Sequence, residues 1–133
     1  MNTKILIVDN HRIIREGLRA LLGKQEGMVV VGEAEDGQEA VDLVRKLAPD
    51  VVIMDVAMPK MSGFEATRAI IAEKLPGKVI ALSMHSDKRF VAEMLKAGAS
   101  GYLLKDCAFD ELINAIHAVL SGKIYLGPGV EAA

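Results

Sequence analysis

Asp9, Asp55, Ser83 and Lys105 stand where short apolar runs stop, and together their types suit one kind of chemistry. Lys4-Ile5-Leu6-Ile7-Val8 runs into Asp9-Asn10, and Val51-Val52-Ile53-Met54 runs into Asp55. Val79-Ile80-Ala81-Leu82 runs into Ser83, and Tyr102-Leu103-Leu104 into Lys105. Such runs read as buried strands. In an open parallel α/β sheet, ligands bind outside the carboxyl ends of the strands. Four strand ends would thus bring two carboxylates, a hydroxyl and an ammonium to one rim. An acidic pocket with one hydroxyl and one ammonium suits a divalent cation plus a phosphoryl group.

The segments between the runs have helical spacing. Ile14, Leu18, Leu21 and Leu22 share one face, with Arg12, Arg15, Arg19 and Lys24 largely outside it. Residues 29–34 read as a second strand. Asp36-Gly37-Gln38-Glu39 has a capping-box pattern ahead of the stripe Ala40, Val41, Val44 and Leu47. Ser62-Gly63-Phe64-Glu65 repeats that pattern and opens a helix to about Lys74, before Pro76-Gly77 breaks it. Ser86-Asp87 can start a helix carrying Val91, Met94 and Leu95. A last helix over 109–121 buries Leu112, Ile113, Ile116, Val119 and Leu120.

This is βα repeated five times. Right-handed crossovers then dictate an α/β fold, a doubly wound five-stranded parallel sheet flanked by five helices. Residues 1–121 read as one domain. Residues 122–133 contain Gly127-Pro128-Gly129 and have too little periodicity for another element, so they read as the start of an interdomain linker.

Bulk properties narrow the function classes. A chain of 133 residues can bury a real core without disulfides or metal staples. Its net charge of −2 and its scattered Lys and Arg leave no footprint for nucleic acid. Its single cysteine, Cys107, rules out an internal disulfide and a Cys-based metal site. No apolar run approaches the roughly 20 residues of a membrane span, and Met1-Asn2-Thr3-Lys4 leads straight into a strand with no signal-peptide pattern. The expectation is a soluble cytoplasmic protein. Dinucleotide binding fails because no G-x-G-x-x-G follows the first strand. Ser83 sits in no nucleophile elbow.

The order of these signals resembles the response regulator receiver domain of two-component signalling, over essentially the whole chain. The resemblance rests on Asp9 ending strand one, on Met54-Asp55-Val56-Ala57-Met58-Pro59, on Ser83 ending strand four and on Gly101-Tyr102-Leu103-Leu104-Lys105, with the Asp36-Gly37 helix start. Val8-Asp9-Asn10-His11, Leu82-Ser83-Met84-His85 and Leu103-Leu104-Lys105-Asp106 look most like the subfamily usually fused to a C-terminal LuxR-type helix-turn-helix domain. That domain would follow the linker.

The resemblance implies a flavodoxin-like sheet of order 2-1-3-4-5, with Asp55 as phosphoacceptor from a sensor histidine kinase. It implies Mg²⁺ held by Asp9, Asn10, Asp55 and the backbone carbonyl of Ala57. Lys105 and Ser83 would hold the phosphoryl oxygens, and Tyr102 would turn inward as Ser83 moves. Such a protein is a switch that assists its own Mg²⁺-dependent phosphorylation and dephosphorylation, not an enzyme with a turned-over substrate. Implied partners are the kinase, a second copy on phosphorylation, and DNA only through the second domain; no membrane is involved.

Asn10 departs from the pattern, since the family usually has a second acid there. Its carbonyl can still ligate Mg²⁺ but brings no charge, so weaker metal binding is expected; Asn is also a preferred helix N-cap. The alternative is a degenerate receiver that is not phosphorylated and serves as a dimerisation or docking scaffold. A phosphatase on a similar sheet fits less well, because no second acid lies two residues after Asp9 or Asp55. Met84 falls where water must approach the acyl phosphate and is expected to slow hydrolysis. His11 and His85 lie near the rim but lack Cys or further His at ligand spacing, so neither is read as a ligand. Lys105-Asp106 lacks a proline, and its isomer stays open.

Overall fold

The computed structural model describes residues 2–131. Its elements run β1 (Thr3–Val8), α1 (Arg12–Gly23), β2 (Met28–Ala34), α2 (Gly37–Leu47), β3 (Val51–Asp55), α3 (Gly63–Ala72), β4 (Lys78–Ser83), α4 (Lys88–Ala97), β5 (Gly101–Leu104), a 3-10 turn (Lys105–Cys107), α5 (Ala108–Leu120) and β6 (Tyr125–Leu126). All pairings are parallel, in the order β2-β1-β3-β4-β5-β6.

Strand alternation divides the core in two. Leu6, Val8, Val52, Met54, Val79, Ala81 and Tyr102 point into a layer formed with α2, α3 and α4. Ile5, Ile7, Val51, Ile53, Ile80, Leu82 and Leu103 point into the layer formed with α1 and α5. Burial on both faces is why these runs are apolar without alternation.

The helix starts are chemically fixed. Ser62 and Glu65 form a full capping box at α3. At α2, Asp36 accepts from the Glu39 N–H at 2.9 Å, but the Glu39 carboxylate reaches the Glu35 N–H instead, so that box is only half formed. Asp87 caps α4 by accepting from the Arg89 N–H at 2.8 Å. α1 begins beyond Asn10: its N-cap is His11, without a side-chain cap bond, so the capping expected of Asn10 is not made.

The sheet has six strands where five were expected. After α5, Gly122 turns the chain at a φ of +87°, and the tail returns alongside β5. The Tyr125 N–H donates to the Ser100 carbonyl at 2.9 Å, and the Gly127 N–H donates to the Tyr102 carbonyl at 3.0 Å. Tyr125 packs on the α1–α5 side and Leu126 on the other, where Val130 is buried too. A strand of two residues leaves no periodicity to read. Among the described residues, no helix is long and apolar enough to cross a membrane.

Candidate functional site

Asp9, Asp55, Ser83 and Lys105 all stand at the carboxyl rim: Asp55 and Ser83 are the last residues of β3 and β4, and Asp9 and Lys105 immediately follow β1 and β5. The register explains the convergence. Val8 pairs with Met54, Asp55 with Leu82 and Ser83 with Leu104, so the strand ends are level across the sheet. Asp9 is fully buried, and Asp55 and Ser83 are each 2% exposed.

Lys105 ties the carboxylates together. Its Nζ lies 2.9 Å from Asp9 Oδ2 and 3.3 Å from Asp55 Oδ2, with its side chain 11% exposed. Both Oδ2 atoms are buried yet lack a directed hydrogen bond, so the ammonium compensates their charge without filling their acceptor capacity. Asp55 Oδ1 accepts from the Ala57 N–H at 3.3 Å. Burial first, and the Asp9 carboxylate second, push the Asp55 carboxyl above the usual carboxylate range; the Lys105 ammonium and Ala57 N–H oppose this without cancelling it.

Ser83 Oγ accepts from the His85 N–H at 2.9 Å, which leaves its own proton free to donate. Asp55, Ala57, Ser83 and Lys105 line a cavity of about 70 Å³ with His11, Met84 and His85. Met84, 78% exposed, forms part of its wall. A larger cleft of about 410 Å³ lies elsewhere, among Pro49, Asp50, Pro76 and Gly77. These are residues at the amino ends of β3 and β4, remote from the carboxyl rim.

Tyr102 is already inside: its ring is fully buried, and its hydroxyl donates to the His85 carbonyl at 2.7 Å. Burial raises its pKa. The same His85 peptide segment therefore contacts both Ser83 and Tyr102. The His85 ring stacks on Phe90 of α4, with centroids 4.6 Å apart.

Two residues at the end of β1 sit differently from expectation. Asn10 is exposed. His11 folds back over Asp9, with its N–H 2.8 Å and its Nδ1 3.0 Å from Asp9 Oδ1. Asp9, His11 and Asp55 each offer a donor atom within 4.8 Å of the others. Ligand spacing among Cys and His alone does not single out His11. Its position two residues after a buried aspartate was the available signal. The Lys105-Asp106 bond is trans.

Comparison with known proteins shows the family and the fold. A family model described as the response regulator receiver domain matches residues 5–117. The chain is 46% identical to the transcriptional regulatory protein DegU of Brevibacillus brevis, over 96% of its own length and 54% of that protein's. It is 41% identical to the response regulator UvrY of Escherichia coli, over 95% of its length and 58% of that protein's. The chain thus spans little more than half of these curated relatives. Among solved structures, a two-component response regulator of the LuxR family from Aurantimonas sp. SI85-9A1 superposes with a TM-score of 0.92 at 38% identity, covering 98% of this chain and 93% of that one.

Proposed function

Since the chain belongs to the response regulator receiver family, we propose that it is a phosphoacceptor switch whose Asp55 takes a phosphoryl group from a sensor histidine kinase. The observation that carries this reading is the buried pair Asp9–Asp55 with Lys105 Nζ 2.9 and 3.3 Å away. That arrangement costs stability, because like charges crowd a desolvated rim, and a phosphoacceptor role gives the cost a purpose.

An Asp55 oxygen forms a bond to phosphorus as the bond from phosphorus to the donor's imidazole nitrogen breaks. The electron pair leaves with that nitrogen, which is then free to be protonated. Lys105 neutralises the equatorial oxygens, and Ser83 donates its hydroxyl proton to one of them. The buried oxygens Asp9 Oδ2 and Asp55 Oδ2, which face a cation without a directed hydrogen bond, fit a hard divalent cation. Asp9, Asp55 and the Ala57 carbonyl would hold Mg²⁺, with Asn10 contributing at most a neutral oxygen. When bound, the ion adds positive charge against the phosphoryl oxygens, where most of the catalytic need lies.

The new charge, roughly −1.5 to −2, then draws Ser83. Because the Ser83 hydroxyl and Tyr102 both bond the His85 backbone, that movement reaches the α4–β5 side. The output is transcriptional, through a DNA-binding domain following the linker, with the phosphorylated form pairing with a second copy in the cytoplasm.

Beryllofluoride with Mg²⁺ tests the reading, since it mimics an acyl phosphate on aspartate. Backbone amide resonances of Ala57, Ser83, Met84 and Lys105 are expected to shift together on addition. Unchanged resonances at all four would contradict it.

Two variants probe the tuning of the site. Asn10→Asp is expected to tighten Mg²⁺ binding by about ten- to a hundredfold, since a unit charge at ~4 Å is worth up to about 4 kcal/mol at an effective dielectric near 20. Calorimetric titration reads this, and equal affinities would show that residue 10 does not face the ion. Met84→Ala is expected to shorten the phosphoryl lifetime several-fold by opening the cavity wall to water. A lifetime equal to the parent's would remove Met84 from the account.

A further inference from the structure

We infer that His11 is a metal ligand and that it gives the site an affinity for first-row transition dications that accept imidazole. The inference rests on the receiver reading of Asp9 and Asp55 as ligands and goes beyond it in the identity of the third side chain. Three observations carry it. Asp9 Oδ2 and Asp55 Oδ2 are buried acceptors without a directed hydrogen bond. Asp9, His11 and Asp55 present donor atoms within 4.8 Å of one another. A cation already sits against all three: Lys105 Nζ lies 2.9 Å from Asp9 Oδ2, 3.3 Å from Asp55 Oδ2 and 3.3 Å from His11 Nδ1.

The position that usually brings a second carboxylate holds the neutral Asn10, which is exposed. His11 Nδ1 has instead been brought within 3.0 Å of Asp9 Oδ1. Exchanging an oxygen anion for an imidazole nitrogen changes selectivity. Mg²⁺ prefers oxygen donors and keeps its waters, whereas imidazole suits later first-row ions, whose affinities rise along the series toward copper. With two carboxylates and one imidazole, the site gains little for Mg²⁺ from His11 and much for Co²⁺ or Zn²⁺.

Any carboxylate site binds Co²⁺ more tightly than Mg²⁺, so the test is the effect of His11 on each ion separately. Titrations of Co²⁺ and of Mg²⁺ are run on the parent chain and on His11→Ala, whose replaced side chain is half exposed and makes no cap bond. Loss of groups that merely orient ligands costs about 10–100-fold in affinity. Mg²⁺ should lose only what the His11–Asp9 contact contributes to orienting that carboxylate, and loss of the imidazole should weaken Co²⁺ by at least about tenfold more than it weakens Mg²⁺. The Co²⁺ form of the parent should also show paramagnetically shifted imidazole protons that His11→Ala lacks.

Equal Co²⁺ affinity in the two proteins, or no shifted imidazole proton, would overturn the inference. Phosphoryl transfer to Asp55 is followed in the same samples with acetyl phosphate and Mg²⁺. An adduct on Asp55 without His11 ligation overturns the inference and leaves the receiver reading intact. Ligation by His11 without any adduct supports the inference and counts against phosphoacceptance.

Discussion

Asp55→Asn is expected to abolish phosphoryl acceptance and, at the same pH, to make the fold more stable. The two effects have one cause. Asp55 is held at the rim with only 2% of its surface exposed, and burial and the Asp9 carboxylate raise its pKa. A carboxyl whose folded-state pKa is raised takes up its proton more readily folded than unfolded. Its ionised form therefore opposes folding above the folded-state pKa, and that cost is relieved as pH falls through it.

The amide keeps the shape and loses the charge. Lys105 loses an attraction in the exchange, but the upward direction of the shift means that burial, with the Asp9 charge second, outweighs it. The gain should be about 1–2 kcal/mol for removing one partly compensated charge. For a domain of this size that raises Tm by roughly 4–8 °C at neutral pH. Thermal unfolding of both proteins between neutral and acidic pH checks it. The gap should be widest near neutrality and close on acidification; a lower Tm for the amide at pH 7 would contradict the electrostatic account.

Gly63→Ala should have the largest effect on the architecture of the site. A Cβ there would stand 2.2 Å from the Asp55 carbonyl oxygen and 2.9 Å from Val56 Cα. Both obstacles are backbone, so no rotamer change relieves them. The Gly63 N–H also donates to the Val56 carbonyl at 2.9 Å, which pins the start of α3 against the end of β3 that carries Asp55. Overpacking typically costs about 1–3 kcal/mol and here should reach the upper end or beyond. Displacing Asp55 by ~1 Å should also slow phosphorylation about a hundredfold.

Gly23→Ala is the control. It ends α1 with nothing within 4 Å of a new Cβ, so it should be neutral or stabilising by up to ~1 kcal/mol. If Gly63→Ala melts and reacts like Gly23→Ala, the close approach of α3 to β3 is not what fixes Asp55.

Much of this was legible in the residues because the physics is local. Strands buried on both faces must be apolar throughout, so Ile5 to Val8 and Val51 to Met54 announce themselves, and the polar residues that end them fall at one rim. Ser62 and Glu65 mark a helix start by their own hydrogen bonds. Other features depend on contacts that no local pattern encodes. β6 is two residues long and is held by bonds to the Ser100 and Tyr102 carbonyls. Asn10 looked like a cap, but Asp9 takes up the His11 N–H and moves the helix start one residue on. The inward Tyr102 depends on the path of the His85 carbonyl, and the approach of His11 to Lys105 joins residues 94 apart in the chain.

Intact mass after incubation with acetyl phosphate and excess Mg²⁺ reads phosphoryl acceptance by Asp55 itself. One added phosphoryl group is expected on the parent chain and none on Asp55→Asn. An unmodified parent mass, not rescued by Asn10→Asp, or the same addition on Asp55→Asn, would contradict it.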